Sequence, residues 1–218
     1  LVWIGRDGIL AAANRMGNGF APPRLIARLP DAASDAHVEV MDLMGRGTAS
    51  LVWASPRGDG RGQRLCHIDL MPGQKPHLLV ASRNNLGAET RITYAPSTRF
   101  AAQDALAGRP WVTRLPFPVQ VVERVETIDH IARIATSTRH AYHDGHFDGI
   151  EREFAGFGRV ESWDSDAPTV GADNWQAATW SPPVMTRSWY HTGTAQSFAQ
   201  ARAEAWPGTE PPLPSPVL

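Results

Sequence analysis

The stretches GRPWVTRLPFPV at residues 108–119 and YHDGHFDGIEREFAGFG at residues 142–158 decide the fold class of this chain. Both combine aromatic residues with proline, glycine and Asp-Gly pairs, which are typical of extended segments and tight turns rather than helices. Pro116 and Pro118 hold the first stretch extended and remove backbone donors from it. The two stretches therefore predict aromatic side chains packed against antiparallel strands.

Further strands are predicted on both sides of these stretches, because apolar and polar residues alternate there. In the predicted strand Ala88–Tyr94, Glu89, Arg91 and Thr93 lie on the face opposite Ile92. The segment 119–128 is rich in charge and suits a partly exposed strand. The predicted pairs are His77–Arg83 with Ala88–Tyr94, Val119–Ile128 with Ile131–Tyr142, and Ile150–Phe154 with Arg159–Trp163 across residues 155–158.

The first 56 residues are predicted to form short strands separated by glycine turns. Leu1–Ile4 and Ile9–Ala13 flank a Gly-Arg-Asp-Gly hairpin signal. Residues 37–53 follow as strand, Gly-x-Gly turn and strand, a unit typical of propeller blades. In Arg64–Leu70, alternation places Cys66, Ile68 and Leu70 on one face.

The last part of the chain is predicted to contain one more strand, at Val184–His191, and a short helix at Thr194–Trp206. A proline-rich tail follows the helix. We therefore predict an all-β chain with a short C-terminal helix. Its predicted domains are residues 1–56, which resemble a terminal propeller blade, residues 57–192, which form β-hairpins, and residues 193–218, which form the helix and tail.

The composition excludes several classes of protein. The formal net charge of −1 gives no reason to expect nucleic acid or an anionic membrane as partner. No apolar run approaches the ~20 residues of a membrane span. The single cysteine, Cys66, allows no internal disulfide. The first residues, LVWIG, indicate a strand rather than a signal peptide, so we interpret the chain as an internal piece of a longer protein.

Two groups of residues invite a metal hypothesis. The turn after Asp42 continues with Leu43, Met44, Gly45 and Arg46, which cannot supply the oxygen ligands of a calcium loop. The second group consists of five His and Asp residues between positions 140 and 148. Asp-Gly turns explain its aspartates without a metal, and a strand would point residues three apart to opposite faces. Its members are His140, His143, Asp144, His146 and Asp148.

No catalytic motif is present either. Glu151 and Glu153 flank Arg152, an arrangement typical of exposed strand charges that discourage edge pairing. The sequence contains no nucleophile elbow, phosphate loop, zinc-protease motif or dinucleotide fingerprint. We therefore predict no catalytic residue, no cofactor and no metal.

Six sequence runs, in the same order, resemble the middle region of the B component of insecticidal toxin complexes, which is related to plasmid virulence protein B. The resemblance covers about residues 37–192. The runs are GQKPHLLV (73–80), NNLGAET (84–90), YAPSTRF (94–100), GRPWVTRLPFPV (108–119), VVERVETID (121–129) and FDGIEREFAGFGRV (147–160).

This resemblance implies a structural role. The family's B component carries a β-propeller that docks on the membrane-translocating A component. It also carries strips of β-hairpins, akin to Rhs/YD repeats, that close with the C component into a hollow, secreted shell around a cytotoxic segment. On this mapping residues 1–56 end the propeller and the later hairpins begin the shell. The self-cleaving aspartates of the family belong to the C component, so no catalytic residue carries over.

Seven aromatic residues are predicted to act as structural anchors of these hairpins: Trp111, Phe117, Tyr142, Phe147, Phe154, Phe157 and Trp163. The 8 Trp residues also leave room for an alternative, a free-standing β-sheet module that binds carbohydrate or a host surface. Several exposed Trp side chains in one groove would favour that alternative.

Overall fold

The computed structural model describes residues 1–5, 8–27, 37–54, 65–71, 75–164 and 183–193. Contacts divide the chain into two compact units. The first comprises Leu1–Met44 and Thr48–Gly73, and the second comprises Gly45–Gly47 and Gln74–Leu218. The helix and tail predicted beyond residue 193 lie outside the described residues.

The first unit contains two three-stranded antiparallel sheets, each with its strands in chain order. The predicted pairing of residues 1–4 with residues 9–13 and the predicted hairpin over residues 37–53 are both confirmed. The strands are β1 (Val2–Gly5), β2 (Gly8–Ala11), β3 (Arg24–Ala27), β4 (His37–Met41), β5 (Ser50–Ala54) and β6 (Leu65–Asp69).

A small apolar core holds the first unit together. Ile9, Leu51 and Trp53 are buried at its centre, and partly buried side chains pack around them, namely Val38, Cys66, Ile68 and Leu70. The predicted inward face of β6 is therefore confirmed. Strand β6 pairs with β5, so residues 65–69 belong to the first unit.

The second unit is built on a six-stranded antiparallel sheet in the order β12-β11-β10-β9-β8-β7. Each strand pairs with its neighbour in sequence, so the sheet is a meander. Its elements are β7 (Ala81–Arg83), β8 (Ala88–Pro96), α1 (Ser97–Leu106), β9 (Gln120–Asp129), β10 (Ile134–Asp148), β11 (Glu153–Trp163) and β12 (Met185–Trp189). The prediction of a mainly antiparallel β chain with one short helix is confirmed, although the observed helix lies in the middle of the sequence.

One predicted hairpin is wrong. Residues 153–163 form a single strand, β11, which pairs with β10 along its length, and the chain reverses at residues 149–152 instead of 155–158. Asp148 Oδ1 accepts the backbone N–H groups of Ile150 and Glu151, which stabilises that turn. Gly156 takes a φ of +99° near a register shift in the pairing, so this glycine forms a bulge within the strand.

A second predicted turn, at Asp144-Gly145, is also wrong. Strand β10 runs through both residues to Asp148, and Asp144 has a φ of 54° inside it. Asp144 tolerates this left-handed conformation better than most side chains do. The chain thus keeps its direction where the dipeptide alone predicts a reversal.

Candidate functional site

The segment that links α1 to β9, residues 107–119, lies against the second unit's sheet and begins with a regular helix end. Gly108 has a φ of +76°, the left-handed conformation in which many helices terminate. At the far end of the segment, Val119 returns to the start of α1. Ser97 N–H donates to the Val119 carbonyl at 2.8 Å, and Val119 N–H donates to Ser97 Oγ at 3.0 Å.

A buried carboxylate holds the middle of this segment. Trp111 Nε1–H donates to Asp104 Oδ2 at 2.7 Å, and His143 Nδ1 lies 2.6 Å from the same oxygen. Asp104 and His143 are buried in α1 and β10 respectively. We call Asp104, Trp111 and His143 the clamp, because they join the helix, the segment and the sheet through one oxygen atom.

Backbone contacts extend the clamp along β10. Thr113 Oγ1–H donates to the Gly145 carbonyl at 2.9 Å, and Phe147 N–H donates to the Arg114 carbonyl at 3.0 Å. Val112 N–H donates to Asp144 Oδ1 at 3.3 Å. Burial raises the pKa of the Asp144 carboxyl, while this hydrogen bond and nearby positive charge act in the opposite direction.

Gly145 allows this close approach because it has no side chain. A Cβ atom at Gly145 would lie 2.8 Å from Trp111 Cζ3 and 3.0 Å from both Leu115 Cδ2 and Phe157 Cε1. Such distances are shorter than van der Waals contact between carbon atoms. The segment therefore packs directly on the backbone of β10, and any larger residue at position 145 displaces it.

Four of the seven predicted anchors lie in one aromatic cluster around Phe157. Its ring centroid is 6.1 Å from Trp111, 5.0 Å from Tyr142 and 5.3 Å from Phe154. Phe100 of α1 joins the cluster with its ring 5.8 Å from that of Tyr142. Edge-to-face and tilted pairs at these distances are favourable.

The other three anchors lie elsewhere in the second unit. Phe117 and Phe147 form a pair with ring centroids 5.2 Å apart. Trp163 lies beneath the guanidinium of Arg139, which is 4.2 Å from the ring centroid. Whether these seven side chains serve a shell stays a prediction.

Asp104, Gly145 and Phe100 were missed by sequence reasoning. The sequence suggests a short helical turn over Ala101–Ala107, which overlaps α1, but it does not show that Asp104 in this helix meets His143 across 39 positions of sequence. No local pattern signals such a contact. A glycine among aromatic residues, as at Gly145, is the one local sign of close packing on the backbone. Because Asp144 precedes it, however, the Asp-Gly pair favours a turn instead.

A second polar cluster surrounds Glu89, which is only 2% exposed. Its carboxylate lies 2.7 Å from Arg91 Nε, 2.8 Å from His130 Nε2 and 3.0 Å from Arg83 Nη2. Hydrogen bonds from Arg91 first, then His130 and Arg83, lower the Glu89 pKa to about 2. Strand β9 is partly exposed, as its charge predicts, although Glu126 within it is only 3% exposed.

The residues that invited a metal hypothesis lie in separate polar contacts. His143 belongs to the clamp, His140 Nδ1 lies 2.8 Å from Ser162 Oγ, and Asp148 stabilises the turn before β11. Within the described ranges, no group of three or more His, Cys, Asp or Glu side chains is arranged to hold a metal ion. None of the described helices is long and apolar enough to span a membrane.

This antiparallel architecture is that of insecticidal toxin-complex proteins. Residues 12–193 match the family described as the insecticide toxin TcdB middle/N-terminal region, and the chain belongs to this family. The predicted resemblance to the B component's middle region is therefore confirmed. No curated protein matches the chain.

Solved toxin structures give the same result. The chain is 31% identical to a chain of the TcdB2-TccC3-Cdc42 structure, with a TM-score of 0.78 over 94% of this chain and 10% of that one. It is 30% identical to a chain of the Photorhabdus luminescens Tc holotoxin pore, with a TM-score of 0.74 over 94% of this chain and 9% of that one. The chain thus spans about a tenth of the length of these proteins.

Proposed function

We propose that this chain is a non-enzymatic wall segment of an exported insecticidal toxin complex, in which the shell encloses a cytotoxic effector and delivers it. The observation that carries the proposal is the match over 94% of the chain, at 31% identity, to a structure of TcdB2 with TccC3. That likeness extends across nearly every described element. It therefore supports a role for the whole segment in the same kind of assembly.

The proposed direct partner is the C component of the toxin complex, which would complete the shell and supply the cargo. The A component would engage the propeller-like N-terminal residues, and neither nucleic acid nor a membrane span is part of the proposal. The matched structures pair TcdB2 with TccC3 or contain a Tc holotoxin pore, which supports partners of these two kinds. The proposed destination is outside the producing cell.

The geometry of the second unit supports this structural role. Strands of 15 and 11 residues, β10 and β11, run side by side, and the clamp fastens the 107–119 segment across one of them. Among the described strands, β7 and β12 are each paired on one side only. Strands paired on one side offer backbone groups to further strands, as a sheet that continues into a larger shell would require.

The alternative of a Trp-lined binding module receives less support. Among the described tryptophans, Trp3 is 68% exposed, whereas Trp53 is buried in the first unit's core. Trp111, Trp163 and Trp189 are half-buried, and each has a polar or cationic contact. The described part of the chain therefore does not present several exposed tryptophans in one groove.

Co-expression with a C component tests the proposal. The chain is expressed within its full reading frame together with that component. We expect the two proteins to co-elute in size-exclusion chromatography and electron microscopy to show a large hollow particle. Gly145→Ala, which disrupts the clamp, should lower the yield of this particle. Gly149→Ala is the matched control, because a Cβ atom at Gly149 meets no atom within 4 Å. A compact, stable monomer that does not bind the C component would refute the proposed role as a wall segment.

A further inference from the structure

Two turns of the second unit, at residues 129–133 and 148–152, repeat the same five-residue pattern, Asp-x-Ile-x-Arg. Each begins at the aspartate that ends a strand, β9 or β10, and each is followed at once by the first residue of the next strand. In both turns the aspartate pairs with that residue, Ile134 or Glu153. The two connections therefore share one geometry as well as one sequence pattern.

The hydrogen bonds and backbone angles of the two turns agree in detail. In the first turn, Asp129 Oδ1 accepts the N–H groups of Ile131 and Ala132 at 2.8 and 2.9 Å. In the second, Asp148 Oδ1 accepts the N–H groups of the two corresponding residues at 2.8 and 3.1 Å. Both turns end in an arginine in the left-handed region, with φ values of 55° and 57°. Each aspartate thus fixes its own turn and leaves the arginine at a defined place.

The arginines that end these turns, Arg133 and Arg152, stand where another residue type would fit with less strain. Glycine and asparagine adopt the left-handed conformation more readily than a long side chain does. Both arginines are exposed, and neither guanidinium forms an ion pair or a hydrogen bond within the described part of the chain. A strained residue with no polar contact in its own fold indicates a role outside that fold. The same strain at the same position of both turns supports this interpretation.

An exposed isoleucine accompanies each arginine, two positions before it. Ile131 is 78% exposed and Ile150 is 90% exposed. Isoleucine is among the residue types most often buried, and burying it in an interface removes apolar area from water. Arginine is enriched among the residues that dominate interface energetics. Each turn therefore presents, beyond the end of a strand, a pair of side-chain types that protein interfaces favour.

We propose that the Asp-x-Ile-x-Arg turn is a docking element for the C component, and that it takes a surface of that protein which offers a carboxylate beside an apolar side chain. The guanidinium meets the carboxylate through two parallel hydrogen bonds, and the isoleucine fills the apolar site. Nucleic acid is a poorer partner, because Glu151 and Glu153 beside Arg152 repel a run of phosphates. This inference rests on the proposed function, since it names the surface by which the wall segment meets its partner.

Co-elution with the C component tests the cationic half of the element, with this chain expressed within its full reading frame. Arg133→Gly combined with Arg152→Gly should lower the amount of C component that co-elutes about tenfold, which corresponds to about 1.4 kcal/mol of association free energy. Without the C component, hydrogen-exchange protection of β9 and β10 should not fall in this variant, because glycine relieves the left-handed strain. Loss of association without loss of protection separates docking from a role in the fold.

Ile150→Ser tests the apolar half of the element and should lower co-elution by a similar factor. Leu106→Ser is the matched control, because Leu106 is also 90% exposed but lies at the end of α1, outside both turns. We expect the control to co-elute with the C component as the wild type does. Neither change should reduce hydrogen-exchange protection, since both side chains are exposed.

Three results would overturn the inference. Wild-type co-elution in either the arginine variant or Ile150→Ser is one, and an equal loss of co-elution in Leu106→Ser is another. The third is a loss of co-elution that is matched by a loss of protection in β9 and β10. If the wild-type chain itself does not co-elute with the C component, the proposed function fails and this inference with it, whereas the three results above leave the proposed function intact.

Discussion

Replacing Gly145 with alanine tests whether direct contact between the 107–119 segment and β10 stabilises the second unit. The added methyl group would lie 2.8 Å from Trp111 Cζ3 and 3.0 Å from Leu115 Cδ2 and Phe157 Cε1. Leu115 ends in a flexible methyl group and can rotate away. The two rings cannot move as freely, because Phe157 lies inside the aromatic cluster and Trp111 is bonded to Asp104.

The expected cost has two parts. Overpacking a filled core by one methyl group costs about 1–3 kcal/mol. If the indole moves to relieve the contact, its 2.7 Å hydrogen bond to the Asp104 carboxylate lengthens, and a bond to a charged group contributes about 1.5–3 kcal/mol. Because one response partly replaces the other, we expect Gly145→Ala to reduce the free energy of unfolding by about 2–4 kcal/mol.

Hydrogen exchange at β10 and β11 is the suitable assay, because it reports on these two strands alone, whereas circular dichroism adds the signals of both units. Gly149→Ala provides the control, because its added Cβ atom meets nothing within 4 Å. We expect the control to change the opening free energy by less than about 0.5 kcal/mol. Equal protection in the two variants would refute the packing argument.

Three other substitutions give distinct expectations. Tyr142→Phe removes a partly buried O–H···O=C bond and should cost about 1 kcal/mol, whereas Tyr94→Phe removes an exposed one and should cost less than about 0.5 kcal/mol, both by urea titration. Glu89 has a pKa of about 2 in the fold against an ordinary value of 4.5, so its stabilisation is present above pH 4.5 and is lost as the pH falls toward 2. The urea midpoint of Glu89→Gln should therefore vary less over this acidic range than that of the wild type, and an equal slope would contradict the assignment. Ser97→Ala leaves the N–H of Val119 without its acceptor and should speed exchange at that amide, at a cost of about 1–2 kcal/mol.

The strands were predictable where apolar and polar residues alternate, because buried and exposed side chains alternate along a strand. Cys66, Ile68 and Leu70 alternate with polar residues, and all three pack on the first unit's core as expected. The pairing of β9 with β10 was predictable because each segment is long and bounded by turn residues. Alternation is a local property, so a local pattern suffices to find it.

Turns were predictable only where the capping group lies in the same turn. Asp148 accepts the two backbone N–H groups that follow it, and the Asp-Gly signal there is correct. The same dipeptide at residues 144–145 fails, because the Asp144 carboxylate is bonded to Val112, 32 positions away, and the chain remains in the strand. A dipeptide cannot report a partner that only the folded chain brings near.

The clamp could not be predicted from the sequence either, because its three residues are brought together only in the folded chain. A sheet of neighbouring strands is fixed by contacts that are local in sequence, so it leaves the path of a proline-containing connection undetermined. Asp104, Trp111 and His143 fix that path with one carboxylate oxygen, and Gly145 removes the side chain that would block it. Such long-range polar contacts decide the position of the 107–119 segment relative to the sheet. They are therefore the contacts at which a change of charge or a single methyl group should act first.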